Sequence, residues 1–234
     1  MNISDIVTFL ASLCAVIFVL VPHEWAHAMA ATLSGDATPK AMGRLTLYPV
    51  RHLDPIGFLC CALVGFGWAK PVPVNPYNFR NYKKGMFFTA VAGVAINYVI
   101  AFFIYLFFAL FYKFAYLEMA TASSASYYLA TFILTFLYNT FLFSLCVFVF
   151  NLLPFYPLDG FRVVEALTRQ VNPVHRFLRE YGQMVLIVLI AESFICGILE
   201  RYVSWIGYFD ILGYVLTFAR QIIGYPIIMA WSWI

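Results

Sequence analysis

His23, Glu24 and His27 stand in the order H-E-W-A-H within a stretch, Ile6 to Leu33, that is otherwise almost wholly apolar. On a helix, residues four apart share a face and lie about 6 Å apart along the axis. Two imidazoles so spaced can hold one tetrahedral zinc. The carboxylate beside the first can then reach a water in the same site as general base. Ionisable side chains at membrane depth are costly unless they face a bundle interior or a wet cavity. The motif therefore predicts a metal, buried water and a reaction. Were the histidines unrelated, three polar side chains would lack partners in lipid.

A catalytic zinc needs a third protein ligand and an open fourth position. Asp159 lies in N-L-L-P-F-Y-P-L-D-G, Asn151 to Gly160, where two prolines break an apolar run. It reads either as the N-cap of the amphipathic segment Phe161 to Thr168 or as the missing ligand. His52, His175, Glu165 and Glu192 compete with it for that role. Asn97 follows the small-residue stretch Ala92-Gly93-Val94-Ala95. It reads equally as a helix-to-helix hydrogen bond and as part of the site.

The elements that carry these residues belong to a membrane protein. Of the 234 residues 64% are hydrophobic, 20% aromatic and 11% charged, unlike a soluble chain of this length. Apolar runs cover Ile6 to Leu33, Met86 to Phe111, Tyr127 to Leu153 and Met184 to Leu199, with a less regular one, containing Arg220, from Trp205 to Trp233. The expected fold is an all-α bundle of about 4–6 spans in one domain. Its catalytic core is expected over residues 5–170 and its C-terminal spans over 180–234. Pro22 should weaken or kink the first helix, and Ser34-Gly35-Asp36 should end it. Arg44 to Val50 alternates as a short strand would. Pro55 to Gly67 is too short to span and reads as a dip into the membrane. Lys70 to Pro76 alternates proline with valine, as an extended rim or edge strand.

Eleven of the fourteen basic residues lie in two segments: Ser34 to Gly85, and Pro154 to Glu180, the latter with Arg162, Arg169, Arg176 and Arg179. The positive-inside rule places both in the cytosol. The N-terminus, the Lys113 to Ser126 loop and the Glu200 to Asp210 loop then fall outside. Membrane topology accounts for this charge without a nucleic-acid partner. Met1 to Asp5 lacks the basic region of a signal peptide. The cysteines Cys14, Cys60, Cys61, Cys146 and Cys196 lack C-x-x-C spacing and read as buried thiols.

The HEWAH motif in a spanning helix, followed by NLLPFYPLDG, resembles the site-2 protease family of intramembrane zinc metalloproteases. GRLTLYPVRHLDPIG (Gly43 to Gly57) and GWAKPVPVNP (Gly67 to Pro76) are similar to linking segments of its compact bacterial branch. The resemblance covers roughly residues 15 to 170. It implies that His23, His27 and Asp159 hold zinc and that Glu24 is the catalytic base. It further implies a bacterial cell membrane and cleavage of a transmembrane helix of another protein in regulated intramembrane proteolysis; the basic segments beside both motifs turn the site toward the cytosol. The oxyanion would need a donor beside zinc, for which Asn97 and Asn151 are candidates. The segments around Leu45 to Val50 and Pro71 to Val74 are suited to pair with an unwound substrate. Val94 stands where the family often has proline, and Tyr156 where it has proline or a small apolar residue. These departures bear on helix geometry and substrate fit, and remove neither ligand nor base. The lipid bilayer, a regulatory membrane partner or a second copy of the chain are the other expected partners. Two other readings are a metal-ion transporter, which would spread its ligands through the membrane depth, and a catalytically inactive membrane-protein-binding homologue, which would lack Glu24 or a ligand.

Overall fold

The computed structural model describes residues 2–64, 67–168 and 172–234. Arg169 and the last turn of the expected dip, residues 65–66, lie outside the described residues. Asn2 and Asp5 form a reciprocal capping box that opens α1, Ile3–Leu33. The helix continues unbroken through Pro22. It ends at Ser34, and Gly35, at φ 115°, turns the chain away. A short helix, α2 (Thr38–Ala41), follows.

The expected strand at Arg44 to Val50 does not form: the chain is irregular there and enters a 3-10 turn at Pro49–Arg51. Pro49 has no amide hydrogen to give a ladder and suits the first position of such a turn. Asp54 caps α3, Pro55–Val64, by accepting from the backbone of Ile56 and Gly57. Leu53 and Ala69 form an antiparallel bridge at the neck of this excursion. A Cβ on Gly57 would strike the backbone at Trp68, and one on Gly67 the backbone at Gly57, so the two segments approach closely. That bridge is the only β contact among the described residues. Lys70 to Pro76 is therefore no sheet strand. Three of its four backbone N–H groups are taken by a carbonyl and two carboxylates: Lys70 by His52 O, Val72 by Glu24 and Asn75 by Asp36.

Asn81 caps α4, Tyr82–Phe111. This helix does not stop at the expected outer loop. It runs on through a π-helical turn, Tyr112–Tyr116, into α5, Leu117–Ala122. Residues 113–122 contain neither proline nor glycine to end it. Ser123 breaks the run and caps α6, Ser124–Leu152. After the Leu153–Leu158 turn come α7 (Asp159–Leu167), α8 (Pro173–Leu199), 3-10 turns at Ser204–Phe209, and α9 (Ile211–Ala230). Among the described residues, five helical segments are long and apolar enough to cross a bilayer: α1, Tyr82–Ala122, α6, α8 and α9.

Helices α1, α4 and α6 pack on one another as the central unit. The buried stripe of α1 recurs every fourth residue: Ala11, Ala15, Val19, His23, His27 and Ala31. On α4 the facing stripe includes Thr89, Ala90, Gly93, Val94, Asn97 and Ala101. Apolar side chains gain little by leaving lipid for one another, so small residues that let backbones approach carry this packing. Large side chains such as Phe103, Phe107, Ile187 and Phe218 point outward instead. The end of α1 meets the start of α4, where Arg80 donates to Ser34 O at 3.0 Å. α8 packs on α7, the Ser204–Phe209 turns and α9. α9 rests on one band of the bundle: Ala101 to Ile104 of α4 and Phe141 to Cys146 of α6.

Candidate metal centre

Both imidazoles of α1 point at α4 because they belong to its buried stripe. Gly93 makes room for them: a Cβ there would overlap both rings. Asp159 arrives from the far side. Two prolines turn the chain after α6, and Gly160 lets the first turn of α7 tuck under the carbonyls of Leu152 and Leu153. Asp159 is not the helix cap. Leu158 holds that position, without a side-chain capping bond, and the carboxylate of Asp159 turns to the histidines.

The three donor atoms converge. His23 Nε2 and His27 Nε2 lie 3.0 Å apart, and Asp159 Oδ2 lies 3.4 Å from the first and 3.0 Å from the second. Donors about 2.0–2.1 Å from a tetrahedral ion are separated by about 3.3 Å. All three residues are at most 7% exposed. Asp159 Oδ2 is sealed from solvent yet receives no well-aligned hydrogen bond. Three facing lone pairs in a closed space repel unless a cation lies among them. The set therefore fits a zinc ion.

The far nitrogens fix the rings. His27 Nδ1–H donates to Thr89 O at 2.7 Å, which leaves the Nε2 lone pair facing inward. Asn97, fully buried, places its amide 3.1 Å from His23 Nδ1. Its Oδ1 has no other partner. The two ends of an amide are isosteric. With the oxygen turned to His23, Asn97 accepts from Nδ1–H and leaves His23 Nε2 free as well. The Asn151 amide donates to Val147 O in its own helix.

Glu24 is half-buried beside this group, and its Oε2 accepts from the Val72 amide at 3.0 Å. The Lys70 to Pro76 segment thus crosses directly over the carboxylate. Arg44, 5% exposed, holds that segment through Lys70 O, and its charge and that of Glu24 interact. His52 is fully buried and bonded to Thr46 O at 2.6 Å; burial pushes its imidazole below the ordinary value. His175, Glu165 and Glu192 all sit apart from the donor set. His175 stacks on Phe161, Glu165 faces Arg179, and Glu192 meets Cys196 and the Ile211 amide. Thr89, Gly93 and Val72 carry no signal in the sequence that marks them as site residues. Only Gly93, in a run of small residues, hints at a close approach.

At the far end of the Lys70 to Pro76 segment, Asp36 is fully buried. Burial alone would raise its carboxyl. Four hydrogen bonds outweigh it and hold the group below the usual carboxylate range: two from Thr38, one from the Asn78 side chain and one from the Asn75 amide.

The sequence profile of peptidase family M50 matches residues 11–192, which include every residue of the donor set and Glu24. A protein of Bacillus subtilis (strain 168), "Putative zinc metalloprotease YwhC", is 35% identical over 184 residues, covering 78% of each chain. No solved structure matches the chain. With the five apolar helices, the buried His-His-Asp group and a family match over most of its length, this integral, multi-pass membrane protein belongs to peptidase family M50, the site-2 protease family.

Proposed function

We propose that the chain is a zinc-dependent intramembrane endopeptidase that hydrolyses a peptide bond in or near a transmembrane helix of another membrane protein. The observation that carries this reading is the convergence of His23 Nε2, His27 Nε2 and Asp159 Oδ2 within 3.0–3.4 Å of one another, with Glu24 alongside. When bound by these three residues, zinc supplies a Lewis acid that polarises the scissile carbonyl and acidifies water. Glu24 takes the proton of the attacking water and returns it to the departing amine. The Val72 amide orients the Glu24 carboxylate for both transfers. Asn97 fixes the His23 ring and is a candidate donor for a developing oxyanion. The bundle walls exclude bulk water, which strengthens each of these contacts.

A substrate helix hides its peptide bonds and must unwind first. The Leu45 to Val50 and Pro71 to Val74 segments are suited to receive the unwound stretch. The free edge of the second is limited, since Pro71 and Pro73 carry carbonyls but no amide hydrogens. In this reading the site opens to the cytosol of a bacterial cell and the products are released regulators.

The test is zinc analysis of purified protein paired with cleavage of a candidate membrane substrate. Wild type should hold one zinc per chain, and His23→Ala, His27→Ala and Asp159→Ala should each lose it. Glu24→Gln should keep zinc and fold yet lose about 10²–10⁴-fold in rate. Full zinc and activity in Asp159→Ala, or substantial turnover by Glu24→Gln, refutes the mechanism as assigned.

A further inference from the structure

Arg162 follows Asp159 by three residues on α7 and precedes Ala166 by four, so the three share one face of that helix. On this face Asp159 reaches the metal centre, and Ala166 is buried in one cluster with Ala31, Phe79 and Met86. Arg162, between them, is half-buried. With Val74, Pro76, Met86 and Thr89 it lines a crevice of about 100 Å³. The crevice lies where the Lys70 to Pro76 segment ends. It shares Thr89 with the metal centre, since the carbonyl of that residue holds His27.

Arg162 makes no hydrogen bond or ion pair among the described residues, which include all eleven acidic residues of the chain. Arg176 and Arg179 of the same basic segment are exposed, and each faces a carboxylate, Glu180 and Glu165. The charge left without one is thus the charge in a crevice. A half-buried guanidinium keeps its charge while losing part of its water. The other walls offer donors and no anion. Val74 carries the one amide of its segment without an acceptor, and the buried Thr89 hydroxyl has no partner. A carboxylate is made of acceptors alone, fits this volume and takes a planar guanidinium by two parallel bonds.

We propose that Arg162 forms a specificity subsite for an aspartate or glutamate side chain of the polypeptide to be cut, an assignment that rests on the proteolytic reading. A substrate stretch laid along Pro71 to Val74 passes Glu24 at Val72 and reaches the crevice at Val74, two residues or about 7 Å further on. The acidic residue therefore stands roughly two to three positions from the scissile bond. A lipid phosphate fits less well. Leu167, the exposed apolar residue at the end of α7, lies about 140° round the helix from Arg162, so the side toward lipid is not the side toward the crevice.

The experiment uses full-length, zinc-loaded protein in phosphatidylcholine liposomes. The probes are synthetic single-span Leu/Ala peptides whose centre is unwound by a Gly-Pro pair. Each carries one aspartate, or in its twin one asparagine, at successive positions within about four residues of that centre. Binding is read by energy transfer on Glu24→Gln protein, and cleavage on wild type by mass spectrometry. At one position the Asp peptide should bind about tenfold more tightly than its Asn twin, and in cleavage the advantage should appear in KM and not in kcat. R162Q should erase the Asp-to-Asn ratio, R162K should keep part of it, and R162E should turn it toward a lysine twin. The ratio is taken within each variant, so a change in overall rate does not enter it, and helicity and zinc content check the fold. Equal binding of the twins at every position, or a preference that survives R162Q, overturns the proposal; phosphatidylglycerol retained by wild type and lost from R162Q would then assign Arg162 to a lipid phosphate. A binding preference with no cleavage of any peptide by wild type would keep the subsite, as a site for an acidic membrane peptide, and refute the proteolytic reading instead.

Discussion

His23 and His27 become a pair of ligands through what holds their outer nitrogens as much as through their spacing. Thr89 O fixes one ring and the Asn97 amide the other. Asn97→Leu should therefore weaken zinc binding about 10–100-fold, measured by chelator competition, with helicity retained. If the substitution leaves zinc affinity intact and lowers only kcat, Asn97 acts on the oxyanion and not on the ring. Gly93 is a second test at this scale. Its missing side chain is the space both imidazoles occupy. Gly93→Ala should cost about 1–3 kcal/mol by overpacking and should expel zinc by displacing the rings. A zinc-replete Gly93→Ala protein of unchanged thermal stability would show that the helices separate at no cost.

At the scale of elements, the Lys70 to Pro76 segment is held to the bundle by hydrogen bonds rather than by a sheet. Val72→Pro removes the amide that meets Glu24 and keeps the chain extended between two existing prolines. It should lower activity tenfold or more, while Val72→Ala, which retains the amide, should not. Comparable activity in the two variants would mean that the amide does not orient Glu24. The anchor at the segment's end is Asp36. Asp36→Asn replaces an acceptor by a donor opposite a backbone amide, at a cost of about 1–3 kcal/mol. The Asp36 carboxyl is held below the range of a free aspartate, about 3.9. Its stabilising contribution is thus full above about pH 4 and is lost as pH falls through the lower, folded value. The gap in unfolding temperature between wild type and Asp36→Asn should be constant from pH 7 to about pH 4 and narrow only below that. A gap that closes well above pH 4 would contradict the depressed carboxyl.

For the whole molecule, the end of α1, the start of α4, and α7 gather at one end of the bundle, with the metal centre just inside it. The two basic segments flank these same elements. If both face the cytosol, single cysteines at Asn2 and Ser123 should react with an impermeant reagent on intact cells. Cysteines at Lys83 and Arg176 should react only after the cells are opened. Arg176 serves better than its neighbour His175, which is buried against Phe161. The opposite labelling pattern would require water and substrate to enter from the external face.

The sequence by itself determined the chemistry-bearing core. Spacing of four on a helix is a local property, so H-E-x-x-H places two imidazoles on one face wherever that helix goes. Apolar length likewise makes a run span, and a pair of prolines ends a helix whatever surrounds it. What depends on contacts distant in sequence was decided only by the tertiary structure. Asp159 read equally as a cap or a ligand until the fold brought it within 3.4 Å of both rings, 136 and 132 positions earlier in the chain. The alternation in Arg44 to Val50 suggested a strand, but a strand needs a neighbour, and none pairs with it among the described residues. The helix through residues 113–122 was hidden because nothing polar or apolar in its pattern distinguishes it from a loop; only the absence of breakers marked it. Thr89 and Val72 act through backbone atoms, which every residue has, so no side-chain signal exists for them to leave.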